Sequence, residues 1–157
     1  MSYEGGGEDS SLHVPVDAVA TIRMASGTVA HLVAPGSLTA GRYGLFRWDM
    51  PAGSGGAKPH FHRTFSESFY VLSGTVELWT GAAWQAATAG DYLYVPEGGI
   101  HGFRNVGDTA ASMLILFAPG LPRERYFEEL AEIGRSRRQL TEEEWAELYA
   151  RYDQYMV

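Results

Sequence analysis

The sequence has no cysteine, and this absence excludes several classes of function. Without thiols the 157-residue chain has no disulfide bond, no thiolate nucleophile and no zinc-finger site. No apolar run approaches the length needed to cross a membrane. The N-terminal segment MSYEGGGEDSS lacks both the basic start and the apolar stretch of a signal peptide. We therefore expect a cytoplasmic protein with no membrane partner.

Basic residues are also scarce. The chain has 12 Lys and Arg against 19 Asp and Glu, its net charge is −7, and Lys58 is the only lysine. Binding to a nucleic-acid backbone needs clustered basic side chains that displace counterions. The short basic run Arg135, Arg137 and Arg138 is typical of a solvated helix end. The sequence therefore predicts no nucleic-acid partner.

Short apolar or alternating segments, separated by Gly, Pro and small polar residues, fill residues 12–119. They include GLFRWDM, SFYVL, TVELWT, DYLYVP and SMLILFAPG. Segments this short and this regularly spaced predict antiparallel β structure, as a sandwich or barrel. Ser73 and Gly74, between FYVL and TVEL, predict a two-residue hairpin turn. The acidic, glycine-rich residues 1–11 are expected to form a disordered tail.

The pattern changes over residues 120–157, where helical spacing replaces alternation. The segment RERYFEELAEIG predicts a helix over residues 123–133 that ends at Gly134. The capping box TEEE at residues 141–144 predicts a second helix over residues 142–152. We expect these helices to pack on the β-domain, with their apolar stripe as packing residues and not a cofactor site. The side chains expected to be buried are Phe127, Leu130, Trp145 and Leu148.

Two of the five histidines, His60 and His62, lie one residue apart, and Glu67 follows five residues after the second. Residues two apart on a β-strand face the same side, so both imidazoles project together, and Glu67 opens the next predicted strand. Imidazole, imidazole and carboxylate suit a first-row divalent ion. An isolated HxH pair is more often a surface feature, so these residues alone leave a metal site and an exposed loop as alternatives.

A second segment, GDYLYVPEGGIHGFRN, favours the metal site. Its Gly and Pro residues build a turn that delivers His101 to the start of another strand. A fourth ligand that arrives in this way completes the site. His13 and His31 belong to neither segment, and we interpret them as surface or strand residues, because lone histidines seldom carry function.

These two segments resemble the two motifs of the cupin superfamily. The first motif, HxH followed by E and then G, is matched by His60, His62, Glu67 and Gly74. The first-motif glycine normally falls where Ser54 lies, a departure that we expect to shift a loop by one residue without affecting the ligands. The second motif, G(X)5PxG(X)2H(X)3N, is matched in full by Gly90, Pro96, Gly98, His101 and Asn105.

The resemblance implies a mainly β fold, namely a cupin-type antiparallel β-barrel (double-stranded β-helix or jelly roll) followed by two C-terminal α-helices. It implies that His60, His62, Glu67 and His101 hold one divalent transition metal ion. Iron, manganese, nickel and zinc all remain candidates, because the set has no thiolate to select a softer ion. Like many cupins, the protein is expected to form a homodimer.

Among cupins, a single barrel with a trailing helical segment is most similar to the quercetin 2,3-dioxygenase-like group. This similarity implies a dioxygenase or oxygenase that uses dioxygen and a small enolisable aromatic substrate, flavonol- or polyketide-like. Two alternatives stay open, because one fold hosts many functions. One is a non-redox isomerase or cyclase that uses the metal as a Lewis acid, and the other is a non-catalytic cupin that binds a small ligand.

Two further expectations concern the inside of the barrel. Glu67 is the only anionic ligand, and we interpret it also as the catalytic base that takes a proton from a substrate hydroxyl. Strand alternation turns several aromatic side chains towards the ligands, either as pocket walls or as barrel filling. These aromatic residues are Phe46, Trp48, Phe69 and Phe103.

Overall fold

The computed structural model describes residues 5–6 and 11–157, and within them the chain forms eleven β-strands and two α-helices. The predicted tail at residues 1–11 falls largely on residues 1–4 and 7–10, which lie outside the described residues. The strands are β1 (Thr21–Arg23), β2 (Val29–Ala34), β3 (Gly44–Met50), β4 (Gly55–Phe61), β5 (Ser66–Ser73), β6 (Thr75–Trp79), β7 (Trp84–Thr88), β8 (Tyr92–Val95), β9 (His101–Asn105), β10 (Ala111–Ala118) and β11 (Tyr155–Met156).

The strands form two antiparallel sheets among the described residues. One has the order β1-β2-β3-β10-β5-β8, and the other has the order β11-β4-β9-β6-β7. Strands β3 and β10 alternate between buried and more exposed positions, as expected for strands with one face on the core. The inner faces of the sheets meet through aromatic rings. The ring centre of Phe103, on the second sheet, lies 5.8 Å from that of Phe69 and 6.1 Å from that of Trp48, both on the first sheet. The predicted mainly β, cupin-type fold with two C-terminal helices is confirmed.

The predicted hairpin at Ser73 and Gly74 is wrong. Strand β5 pairs with β8 and β10, whereas β6 pairs with β7 and β9, so the chain passes from one sheet to the other at this point. Gly74 has a positive φ of 69°, and a Cβ there would lie 2.3 Å from the carbonyl oxygen of Ala110. The glycine therefore permits a tight corner between sheets.

Helix α1 (Arg123–Ser136) runs further than predicted. It continues through Gly134, where a Cβ would lie 2.7 Å from the Cβ of Ala25. The glycine therefore lets the helix approach the segment after β1 closely, and it does not end the helix. Helix α2 (Glu142–Arg151) begins at the predicted capping box, in which Thr141 and Glu144 each bond the other's backbone N–H. Phe127 and Leu148 are buried, whereas Leu130 and Trp145 are only partly buried.

None of the helices in the described part of the chain has the length and apolar character needed to span a bilayer.

Candidate metal centre

Three strands bring His60, His62, Glu67 and His101 to one point. His60 lies near the end of β4 and His62 directly follows that strand, while Glu67 and His101 lie at the starts of β5 and β9. His60 is paired with His101 across the β4–β9 ladder. All four side chains are buried, and one ligand atom from each lies within 4.8 Å of those of the other three. The structure thus brings together all four residues that the sequence proposed as ligands.

Each imidazole is oriented by a backbone carbonyl on the side away from the cluster. The Nδ1 atom lies 2.6 Å from the carbonyl oxygen of Lys58 in His60, 2.7 Å from that of Asp153 in His62, and 2.9 Å from that of Gly99 in His101. A carbonyl oxygen only accepts hydrogen bonds, so each Nδ1 donates. The metal-binding nitrogen left on each ring is Nε2, and this outer hydrogen bond is what metal-ligating histidines ordinarily make.

Glu67 is the acceptor at the centre of the cluster. Its Oε2 lies 2.7 Å from Nε2 of His101 and 3.2 Å from Nε2 of His62. Burial by itself would raise the pKa of Glu67, but the positive charge and hydrogen bond of His101 and the hydrogen bond of His62 outweigh it and hold the pKa below its ordinary value. The carboxylate is therefore ionised at neutral pH, as a metal ligand must be.

The pKa values of His60 and His101 are shifted in opposite directions. Burial and then the neighbouring His101 lower the pKa of His60 to about 3, so its Nε2 carries a free lone pair at neutral pH. Burial lowers the pKa of His101 as well, but the charge and hydrogen bond of Glu67 reverse that effect and raise it. Nε2 of His101 and Oε2 of Glu67 lie 2.7 Å apart within the cluster of potential ligand atoms. Three imidazole nitrogens and a carboxylate form a donor set that fits a divalent first-row ion.

The other two histidines lie away from this cluster. His13 is exposed. His31 is on β2, where its Nε2 lies 2.8 Å from Oδ2 of Asp49 on the neighbouring strand. Neither belongs to the group of potential ligands within the described residues.

Asp153 supports the cluster, and no pattern in the sequence indicates this role. Its carbonyl oxygen receives Nδ1–H of His62 across 91 positions of sequence. Its carboxylate Oδ2 accepts hydrogen bonds from the backbone N–H of Arg63 at 3.0 Å, and from the backbone N–H and hydroxyl of Thr64 at 2.8 Å and 2.6 Å. The C-terminal segment is thereby fixed to the loop that carries His62.

A cavity of about 980 Å³ lies beside the cluster, and His60 and Glu67 form part of its wall. Its size falls within the ordinary range of small-molecule sites. The barrel, α1, α2 and the C-terminal segment all contribute to it. The helical residues expected only to pack therefore also form cavity wall: Tyr126, Phe127, Leu130, Trp145 and Tyr149.

The four aromatic residues proposed as pocket walls have two different positions. Trp48 and Phe103 line the cavity. Phe46 and Phe69 are fully buried and are not among its lining residues. Phe46 packs edge-on against Phe117 and Phe127, and Phe69 packs against His101 and Phe103. These two rings therefore fill the barrel behind the wall.

A sequence model of the family described as "Cupin domain" matches residues 46–117, the part of the chain that contains all four clustered side chains. Solved structures that superpose on this chain have the same fold. The β-barrel of this chain is a cupin domain.

Among curated proteins, this cupin is similar to a protein named quercetin 2,3-dioxygenase from Bacillus subtilis (strain 168), with 29% identity over 100 residues. The match covers 63% of the present chain, which spans only 29% of the length of that relative.

Solved structures show the same fold. A predicted oxalate decarboxylase from Thermotoga maritima superposes with a TM-score of 0.62 at 18% identity, over 69% of this chain and 99% of that one. The polyketide cyclase RemF from Streptomyces resistomycificus superposes with a TM-score of 0.59 at 20% identity, over 69% of this chain and 80% of that one. Likeness at these identities shows the fold alone.

Proposed function

We propose that this cupin is a metal-dependent enzyme, with His60, His62, Glu67 and His101 as the ligands of one divalent ion. The observation that carries the proposal is the orientation of the three imidazoles. Each is fixed at Nδ1 by a backbone carbonyl, which leaves Nε2 of each ring beside Glu67 in a buried cluster. Iron, manganese, nickel and zinc all suit this donor set.

The proposed reaction is oxygenation of a small enolisable aromatic compound, such as a flavonol or a polyketide-like molecule. The aromatic wall of the cavity and its volume of about 980 Å³ support a ligand of this kind. The similarity to quercetin 2,3-dioxygenase supports the reaction class. A bound ion would supply Lewis acidity and, with a redox-active metal, a place for dioxygen.

The chain's own contribution is positioning and proton transfer. Trp48 and Phe103 hold the ring of the substrate against the ligand side of the cavity and exclude water from it. Glu67 lies on the same wall, and we propose that its carboxylate accepts the proton of the substrate hydroxyl. The lowered pKa of Glu67 in the cluster makes it a weak base while His62 and His101 hold it. Proton transfer therefore requires that Glu67 leave these partners.

The test is dioxygen uptake by purified protein loaded separately with iron(II) and with manganese(II), with flavonols and catechol-like compounds as substrates. We expect uptake that depends on both metal and substrate. Conversion of the substrate without dioxygen would contradict an oxygenase and indicate an isomerase or cyclase. If a compound bound tightly but was not converted either with or without dioxygen, the result would contradict enzyme function and indicate a ligand-binding cupin.

A further inference from the structure

Arg123, the first residue of α1, is a buried cation on the wall of the cavity that contains Glu67. Its side chain is only 4% exposed. The guanidinium carbon lies 4.4 Å from the ring centre of Tyr126 and 5.3 Å from that of Phe65. Aromatic faces stabilise a cation, but they do not neutralise it.

The hydrogen bonds of Arg123 leave part of its guanidinium without a partner. Nη1 donates to the carbonyl oxygen of Tyr152 at 2.9 Å, and Nη2 donates to Oε1 of Gln154 at 3.2 Å. Nε is buried and has no hydrogen-bond partner among the described residues. A guanidinium has five N–H groups, so one edge remains for a ligand. A buried donor without a partner is costly, which favours a ligand that satisfies it.

Within the described part of the chain Arg123 has no directly paired counter-charge, although Glu67 and Glu142 also line the cavity. Arg123 forms no salt bridge within residues 5–6 and 11–157. Burial raises the pKa of the adjacent Tyr126 to about 12, so its hydroxyl is neutral and supplies no counter-charge. A divalent ion on three neutral imidazoles and Glu67 would carry one net positive charge of its own. A buried charge ordinarily has a direct partner, whereas Glu67 and Asp153 act on Arg123 only from beyond salt-bridge distance.

We propose that Arg123 is an anion-binding residue that receives the carboxylate of a small aromatic ligand. A carboxylate matches the planar edge of a guanidinium and its single charge. The aromatic rings that lie beside Arg123 and line the cavity, namely Phe117, Tyr126 and Phe127, then hold the apolar body of the same molecule. This inference deepens the proposed function, because it names the acid group of the ligand and a second contact point beside the metal.

Ser54 provides an independent sign that the cavity receives a polar ligand. It lines the same cavity, and its hydroxyl oxygen is buried without a hydrogen-bond partner among the described residues. Ser54 lies where the first cupin motif normally has a glycine, so the hydroxyl is an addition of this sequence.

The experiment compares two probes of one shape, 2-naphthoate and the neutral 2-naphthamide, by isothermal titration into metal-loaded protein. We expect wild type to bind 2-naphthoate about 10- to 100-fold more tightly, the value of one charge-assisted contact. Arg123→Met should abolish this preference and leave the affinity for 2-naphthamide nearly unchanged. The matched control is Arg104→Met, because Arg104 pairs with Glu77 at 2.5 Å and does not line the cavity.

A purely structural role for Arg123, as an anchor of the C-terminal segment, predicts other results. Gln154→Ala removes one anchoring bond but keeps the charge, so under our proposal it retains the carboxylate preference. Loss of the preference in Gln154→Ala, or its persistence in Arg123→Met, would overturn the proposal.

A second measurement reads the contact in wild type, and a variant serves only to assign the resonance. In protein labelled with 15N at arginine Nε, 2-naphthoate should shift the Arg123 resonance and 2-naphthamide should not. The resonance is assigned by its loss in Arg123→Lys. An unmoved resonance at saturating 2-naphthoate would refute the contact. Neither readout uses turnover, so failure here leaves the dioxygen test of the proposed function unaffected, and the reverse also holds.

Discussion

Replacing Asp153 by alanine should weaken metal binding although Asp153 is not itself a ligand. Its carbonyl oxygen holds Nδ1–H of His62, and its carboxylate accepts three hydrogen bonds from Arg63 and Thr64. The φ of Asp153 is 52°, a left-handed conformation that aspartate and asparagine tolerate better than alanine. Asp153→Ala therefore removes the attachment that keeps the carbonyl in place and disfavours the backbone shape that presents it.

The size of the effect follows from these contacts. The three hydrogen bonds are exposed, so each contributes about 0.5 kcal/mol, and the left-handed conformation costs alanine about 1 kcal/mol more. The free energy of unfolding should fall by about 2 to 3 kcal/mol. Loss of an outer hydrogen bond to a ligating histidine typically lowers metal affinity about 10- to 100-fold. Asp153→Asn should lose less, because it keeps an acceptor oxygen and the left-handed preference.

The assay is competition for zinc with a chromophoric chelator, together with urea unfolding of the metal-free protein. Asp91→Ala is the matched control, because Asp91 accepts hydrogen bonds from the backbone N–H and hydroxyl of Thr88 in a loop that contributes no ligand. It should lose stability without losing metal affinity. If Asp153→Ala lost stability but bound zinc as wild type does, the support of His62 by the C-terminal segment would be refuted.

Three further predictions concern Glu67, His60 and the assembly state. Glu67→Gln should keep much of the metal, because an amide oxygen still coordinates, but lose most turnover per bound metal, because an amide does not accept the proton; unchanged turnover per metal would exclude a catalytic base. In metal-free protein His60 should lower the free energy of unfolding by about 1.4 kcal/mol per pH unit as the pH falls from 6 to 5, because its folded pKa is about 3 and only the unfolded imidazole takes up a proton there. Urea unfolding of His60→Gln should therefore show a flatter pH dependence than wild type, and an equal slope would contradict this account. Light scattering at micromolar concentration should give twice the mass of the 157-residue chain, and a monomer mass would refute the expected homodimer.

The ligand cluster was accessible from the sequence because each half of it lies in a short motif, and the two motifs together resemble those of the cupin superfamily. Strand alternation places His60 and His62 on one side, and a Gly and Pro turn precedes His101. The Asp153 support was not accessible, because it acts through a backbone carbonyl, which every residue has, across 91 positions. The position of Arg123 was hidden for a related reason. Helical periodicity marks the apolar stripe of α1, but it does not say which residue of the first turn meets a cavity.

The fold shows the same division between local and distant information. The capping box of α2 involves residues three apart and was predicted correctly. Gly74 was misinterpreted as a hairpin, because a positive φ serves a turn within one sheet and a corner between two sheets equally well. Strand alternation correctly predicts that Phe46 and Phe69 face the inside of the barrel. It does not say how deeply a side chain is buried, and both rings lie behind the cavity wall.

Metal content after equilibrium dialysis tests the central claim most directly. Wild-type protein dialysed against zinc or manganese and then against metal-free buffer should retain about one ion per chain by elemental analysis. His101→Ala should lose most of it, because three ligands hold a divalent ion much less firmly than four. His13→Ala and His31→Ala should retain it in full, because neither belongs to the cluster. Wild-type metal content in His101→Ala would contradict the account and show that the ion binds elsewhere.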